Sequence, residues 1–78
     1  MSVLSRQLRV LDEKRIIDFI EGQYAVSESA TSLANKLGIE PRTVRRVLDH
    51  LVEAGAMRRR DLGKIEPIYY RYPSLDER

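Results

Sequence analysis

Two arginine clusters carry the most distinctive chemistry in this 78-residue chain. The first is Arg42, Arg45 and Arg46; the second is Arg58, Arg59 and Arg60, with Lys64 soon after. Eleven of the fourteen basic residues are arginine, whose planar fork of donors suits a phosphate or a guanine edge better than lysine's point charge does. The net charge of +2 hides this concentration. Residues 1–22 balance four basic against four acidic side chains, whereas residues 39–60 set six arginines against Glu40, Asp49 and Glu53. A solvated surface laced with ion pairs would use the same residues, so their placement on structural elements has to decide.

Other chemistries are poorly supplied. With no cysteine, disulfides, thiolate–metal sites and thiol catalysis are excluded. His50 is the lone histidine, too few for a histidine-based metal site. No Ser/His/Asp order and no glycine-rich phosphate loop appears, and the pair Asp12-Glu13 suits a helix N-terminus. The expectation is a non-enzyme with no cofactor, metal or small-molecule ligand. No apolar run is long enough for a membrane span or signal peptide, so no membrane partner and a cytoplasmic location are expected. At 42% hydrophobic and 33% charged, the composition fits one small folded domain with a modest core.

The elements that must position the arginines follow from periodicity. Leu4, Leu8 and Leu11 form one helical stripe, and Ile16, Phe19 and Ile20 form a second that points elsewhere. Either the helix breaks near Asp12, or one long helix serves two partners before Gly22 stops it. Gln23 to Val26 reads as a short extended link. Ser27 or Ser29 caps a second helix that ends at Gly38. Pro41 opens a third, apolar at Val44, Val47, Leu48, Leu51 and Val52 and ended by Gly55. The period then shortens. Residues 56–60 read as a strand, 61–64 as a turn, and Ile68, Tyr70 and Tyr72 alternate with Tyr69 and Arg71. That alternation puts Tyr70 and Tyr72 on the core side, where they pack rather than stack bases. The expected fold is mainly α with a small β-hairpin.

Leu33-Ala34, Gly38 and Val44 supply what a tight helix-turn-helix needs. Ala34 is small where the axes cross, Gly38 tolerates positive φ, and Val44 wedges the second helix against the first. This spacing resembles the helix-turn-helix signature of DNA-binding regulators. With the hairpin that follows, residues 12–72 resemble a winged helix-turn-helix domain: a three-helix core plus a two-stranded wing. Residues 1–11 form an N-terminal arm or helix, and 73–78 a polar tail. The pattern is similar to small bacterial and archaeal transcription regulators, including the multiple-antibiotic-resistance and arsenical-repressor groups. It lacks their metal-sensing cysteines and long flanking dimerisation helices.

The resemblance implies a sequence-specific double-stranded DNA-binding protein acting in transcription regulation. Helix 41–54 would enter the major groove and hairpin 56–72 would lie on the backbone. The family's contact positions fall here on Glu40, Pro41, Arg42, Arg45, Arg46 and Asp49. The helical wheel independently turns Arg42, Arg46 and Asp49 away from the core, with Arg45 and Thr43 flanking. Asp49 is also four residues from Arg45, so a surface ion pair between them is expected. Glu40 is expected to cap the third helix. Arg58, Arg60 and Lys64 are the wing's candidate phosphate contacts, Arg59 pointing oppositely. Leu4, Leu8 and Leu11 are the candidate homodimer contact. A winged-helix protein–protein adaptor, or a replication- or RNA-associated accessory factor, is the alternative that the arginines on the third helix argue against.

Overall fold

Residues 3–72 are described in a computed structural model, with side-chain surroundings from Val10 onward. The chain runs α1 (Val3–Glu21), β1 (Val26–Ser29), α2 (Ala30–Leu37), α3 (Pro41–Glu53), β2 (Arg58–Leu62) and β3 (Ile65–Arg71). The three strands form one antiparallel sheet in the order β1-β3-β2, giving a small α/β domain. The expected two-stranded hairpin is therefore corrected to a three-stranded sheet. Strand β1 has four residues and one fully buried apolar side chain, Val26, so it leaves no periodic signature. Pairing with β3 holds it, with Val26 opposite Arg71 and Ser29 opposite Ile68.

One core joins the three helices to β1, β3 and Met57, and β2 adds no buried residue to it. Ile16 and Ile20 of α1 meet Leu33 and Ala34 of α2, Val44, Val47 and Leu48 of α3, and Met57 and Tyr69. Helix α1 is unbroken, so the alternative of a break near Asp12 falls away. Among the described side chains its core residues begin at Ile16, and Val10 and Leu11 are 60% and 55% exposed. Leu4 and Leu8 lie outside the described side chains, and the tail 73–78 lies outside the described residues. No helix among those described is long and apolar enough to cross a membrane.

Helices α2 and α3 are joined by the tight turn that the spacing predicts. Ser29 is the α2 cap: its hydroxyl accepts the Ser32 amide at 3.1 Å. Gly38 turns at φ 68°, and the amides of Gly38 and Ile39 both donate to the Ala34 carbonyl. The Arg15 guanidinium donates to the Leu37 carbonyl, so α1 satisfies one of α2's last open acceptors. Pro41 then starts α3.

On β3 the period is as read and the phase is reversed. Tyr69 is the core residue, at 1% exposure, while Tyr70 is half-buried and Tyr72 exposed on the outer side. The placement of Tyr70 and Tyr72 in the core is thus corrected. Alternation states a period but not which face is buried, and Tyr69 takes the inner face because its hydroxyl finds an acceptor there. A register shift between β2 and β3 follows, with Arg60 opposite Ile68 but Leu62 opposite Ile65. The extra residue falls on β3 at Glu66-Pro67, where proline has no amide to offer the ladder. Strand β2 also extends through Asp61 and Leu62, leaving Gly63 and Lys64 as the turn.

Leu48 is fully buried between helices and sheet. Replacing it with alanine is expected to destabilise the domain by about 2–5 kcal/mol, read as a lower urea midpoint with an unchanged slope.

Candidate nucleic-acid interface

Helix α3 buries Val44, Val47 and Leu48 and presents Pro41, Arg42, Arg45 and Arg46 to solvent, with Thr43 and Asp49 half-buried. Glu40 stands at the N-cap, where its backbone carbonyl accepts the Val44 amide at 3.1 Å. Its side chain makes no capping bond, which corrects the expected role. Glutamate is one methylene longer than the preferred cap residues, and Pro41 removes one of the amides to be capped.

Carboxylates from other elements sort these arginines. Arg45 pairs loosely with Glu66 of β3, at 3.9 Å, and not with Asp49. The same Glu66 carboxylate accepts the Thr31 amide at 3.3 Å, so it gathers the start of α2, the side of α3 and the turn end of the hairpin. The irregularity at Glu66-Pro67 lets this side chain turn toward the helices. Arg46 lies 2.7 Å from Glu13 of α1, which flanks α3 on that side. The wheel of an isolated helix could not reveal that neighbour. Arg42 has no carboxylate within ion-pair distance among the described residues.

Asp49 points at the sheet. Its Oδ1 accepts the Tyr69 hydroxyl at 2.6 Å and the Arg59 guanidinium at 3.2 Å, and Arg59 also reaches Asp61 at 3.4 Å. The expected Arg45–Asp49 pair is thus replaced by a tie between α3 and the hairpin. Burial raises the Tyr69 phenol above its ordinary value, and the Asp49 carboxylate reinforces the shift.

Arg58 and Arg60 are exposed on the outer face of β2, across from Tyr70 and Ile68, with Arg59 on the inner face as expected. Lys64 is exposed in the turn beside Gly63, whose φ is 82°. The Arg45–Glu66 pair therefore brings Arg45 and the hairpin's turn end to one side. Arg58 lies at the other end of β2, about 13 Å from the turn at 3.3 Å per residue. Glu13, Arg59 and Glu66 organise the site without having been legible as its members, because their partners on α3 are ten to thirty-three residues away in the chain. A further tie anchors α2: Glu28 accepts from the Ser32 hydroxyl at 2.6 Å and from Lys36. Burial works against the Glu28 charge, yet these two donors outweigh it and hold the carboxyl below its ordinary value. No group of three or more acidic or histidine side chains among the described residues could hold a metal ion.

The raised Tyr69 phenol has a consequence for stability. The folded chain holds this proton more tightly than the unfolded chain. That contribution is intact below the ordinary tyrosine value of about 10 and is lost as pH rises through the folded value. Tyr69→Phe should cost about 1–2 kcal/mol at neutral pH and flatten the decline above about pH 10, measured by urea unfolding across pH.

Compared with known proteins, the chain matches no family model, no curated protein and no solved structure.

Proposed function

We propose that the chain is a winged helix-turn-helix protein that binds double-stranded DNA and regulates transcription. The element order helix, strand, helix, helix, strand, strand supports the fold reading, with α2 and α3 as the helix-turn-helix and β2–β3 as the wing. One observation carries the functional reading: Arg42 and Arg45 stand exposed on α3, and Arg45 is joined through Glu66 to the hairpin near its turn. A major groove about 12 Å wide admits such a helix, and an arginine fork there reads guanine bidentately. Lys64 and Arg60 meet phosphates beside it and fix register without reading sequence. Thr43 flanks the reading face. Arg46 joins when a phosphate displaces Glu13, and Asp49 acts as the wing's anchor rather than a base reader.

The same reading includes a homodimer. A single module covers a small footprint, about 600–1,000 Å², and two-fold pairing on repeated half-sites is the usual way to double it. Val10 and Leu11 support this, being exposed and apolar on the part of α1 that precedes the core.

Duplexes enriched by selection from a random pool give the probe for both. Arg42→Ala with Arg45→Ala should lower duplex affinity at least tenfold, about 1.4 kcal/mol, with circular dichroism unchanged. Wild-type affinity should fall with salt at a log–log slope of about 0.9 per phosphate contact. Unchanged binding by the double variant would instead favour the adaptor role. In light scattering, the intact chain should be a dimer at tens of micromolar, and Leu8→Ala with Leu11→Ala a monomer.

A further inference from the structure

The outer face of the sheet is aromatic and basic together. Tyr70, on β3, and Tyr72, just after it, stand with ring centroids 5.5 Å apart and planes tilted by 34°. Arg58 is the cross-strand neighbour of Tyr70 on β2, and Ser27 its neighbour on β1. Where β2 begins, the residues Gly55 to Met57 diverge from β3 and leave a groove of about 140 Å³, lined also by Arg58, Tyr70, Arg71 and Tyr72. Among the described residues no carboxylate lines that groove. Among the same residues Arg58, Arg60 and Arg71 have no acidic side chain within ion-pair distance, whereas Arg45 and Arg46 have one each and Arg59 has two.

We propose that this face binds single-stranded nucleic acid, with an unpaired base stacked on the Tyr70/Tyr72 pair and its phosphate held by Arg58. Aromatic rings beside a cationic groove are the two ingredients of sequence-tolerant single-strand binding, since every base offers a flat face and every linkage a charge. A duplex leaves no base face open to such rings. An acidic peptide would satisfy the arginines and leave the tyrosines without a flat partner. A second copy docked two-fold on this face would crowd arginine against arginine. The site lies at the far end of the hairpin from the turn, so it goes beyond the duplex reading and does not depend on it.

The test uses the full chain and a fluorescein-labelled oligothymidylate of about twelve nucleotides, within the span such platforms cover. Anisotropy reads binding. Tyrosine fluorescence reads stacking, unobscured because the chain has no tryptophan. Wild type is expected to bind in the micromolar range with quenched tyrosine emission. Tyr70→Leu with Tyr72→Leu should weaken binding about tenfold or more, while the paired Phe variant stays within about twofold. Arg42→Ala with Arg45→Ala should leave the oligothymidylate affinity within about threefold, which separates this site from the duplex face. Arg58→Glu should weaken it about fivefold or more, and decides the matter if the leucine variant does not fold. The proposal is overturned if wild type fails to bind at tens of micromolar, or if the folded leucine or Arg58→Glu variant binds as wild type. Equal loss of single-strand and duplex binding in a folded leucine variant overturns it too.

Discussion

Tyr69 occupies the central strand with almost no exposed surface, and its hydroxyl reaches Asp49 on α3. Much of the molecule depends on that contact. A buried phenol needs an acceptor, and the one available lies on the helix side of the sheet. Satisfying it fixes which face of β3 is inside. That choice turns Ile68, Tyr70 and Tyr72 outward and, through the antiparallel register, sends Arg58 and Arg60 outward with them. Arg59 follows Tyr69 inward and shares the same carboxylate. One hydrogen bond thereby sets the side on which each arginine of the second cluster appears.

The acidic residues do a complementary job. Exposed ion pairs contribute about 0–1 kcal/mol each, so Glu13, Glu66 and Asp61 add little to stability. Their effect is on position and availability. Glu66 keeps Arg45 near the hairpin, Glu13 occupies Arg46, and Asp49 with Asp61 engages Arg59. What remains free of carboxylate partners among the described residues is Arg42 on α3, Lys64 at the turn, Arg58 and Arg60 on the tyrosine face, and Arg71 at the end of β3. The chain's modest excess of positive charge is concentrated in two places rather than spread evenly.

The α2–turn–α3 unit was legible in the sequence because it is local. Ala34, Gly38 and Val44 act on neighbours within about ten residues, and a small side chain, a left-handed turn and a branched wedge each leave a residue-type signature. The serine cap of α2, left between Ser27 and Ser29, and the start of α3 at Pro41 were legible for the same reason. Strand β1 was not, since its stability comes from a partner far along the chain. The phase of β3 was hidden too: Tyr69 and Tyr70 are the same residue type, and only Asp49 distinguishes them. The fates of Arg45, Arg46 and Asp49 depended on acids and donors from α1 and the hairpin, which a wheel drawn for one helix cannot contain. Residue chemistry was readable; its assignment to partners was a tertiary matter.

The strand order β1-β3-β2 puts the last strand to be synthesised in the middle of the sheet. Both outer strands leave the ribosome before the one strand that can pair with either. Until Ile65–Arg71 appears, β1 and β2 have no ladder to join, and the only compact unit available is helical. Local helical contacts form quickly, and closing Val26 onto Arg71 across the whole helix-turn-helix is the slow, entropically costly step. A nascent chain stopped short of β3 would lack Tyr69 as well as the sheet, leaving Asp49 without its buried donor and the helices without their floor. The order of synthesis thus makes folding of this domain an event of its final residues.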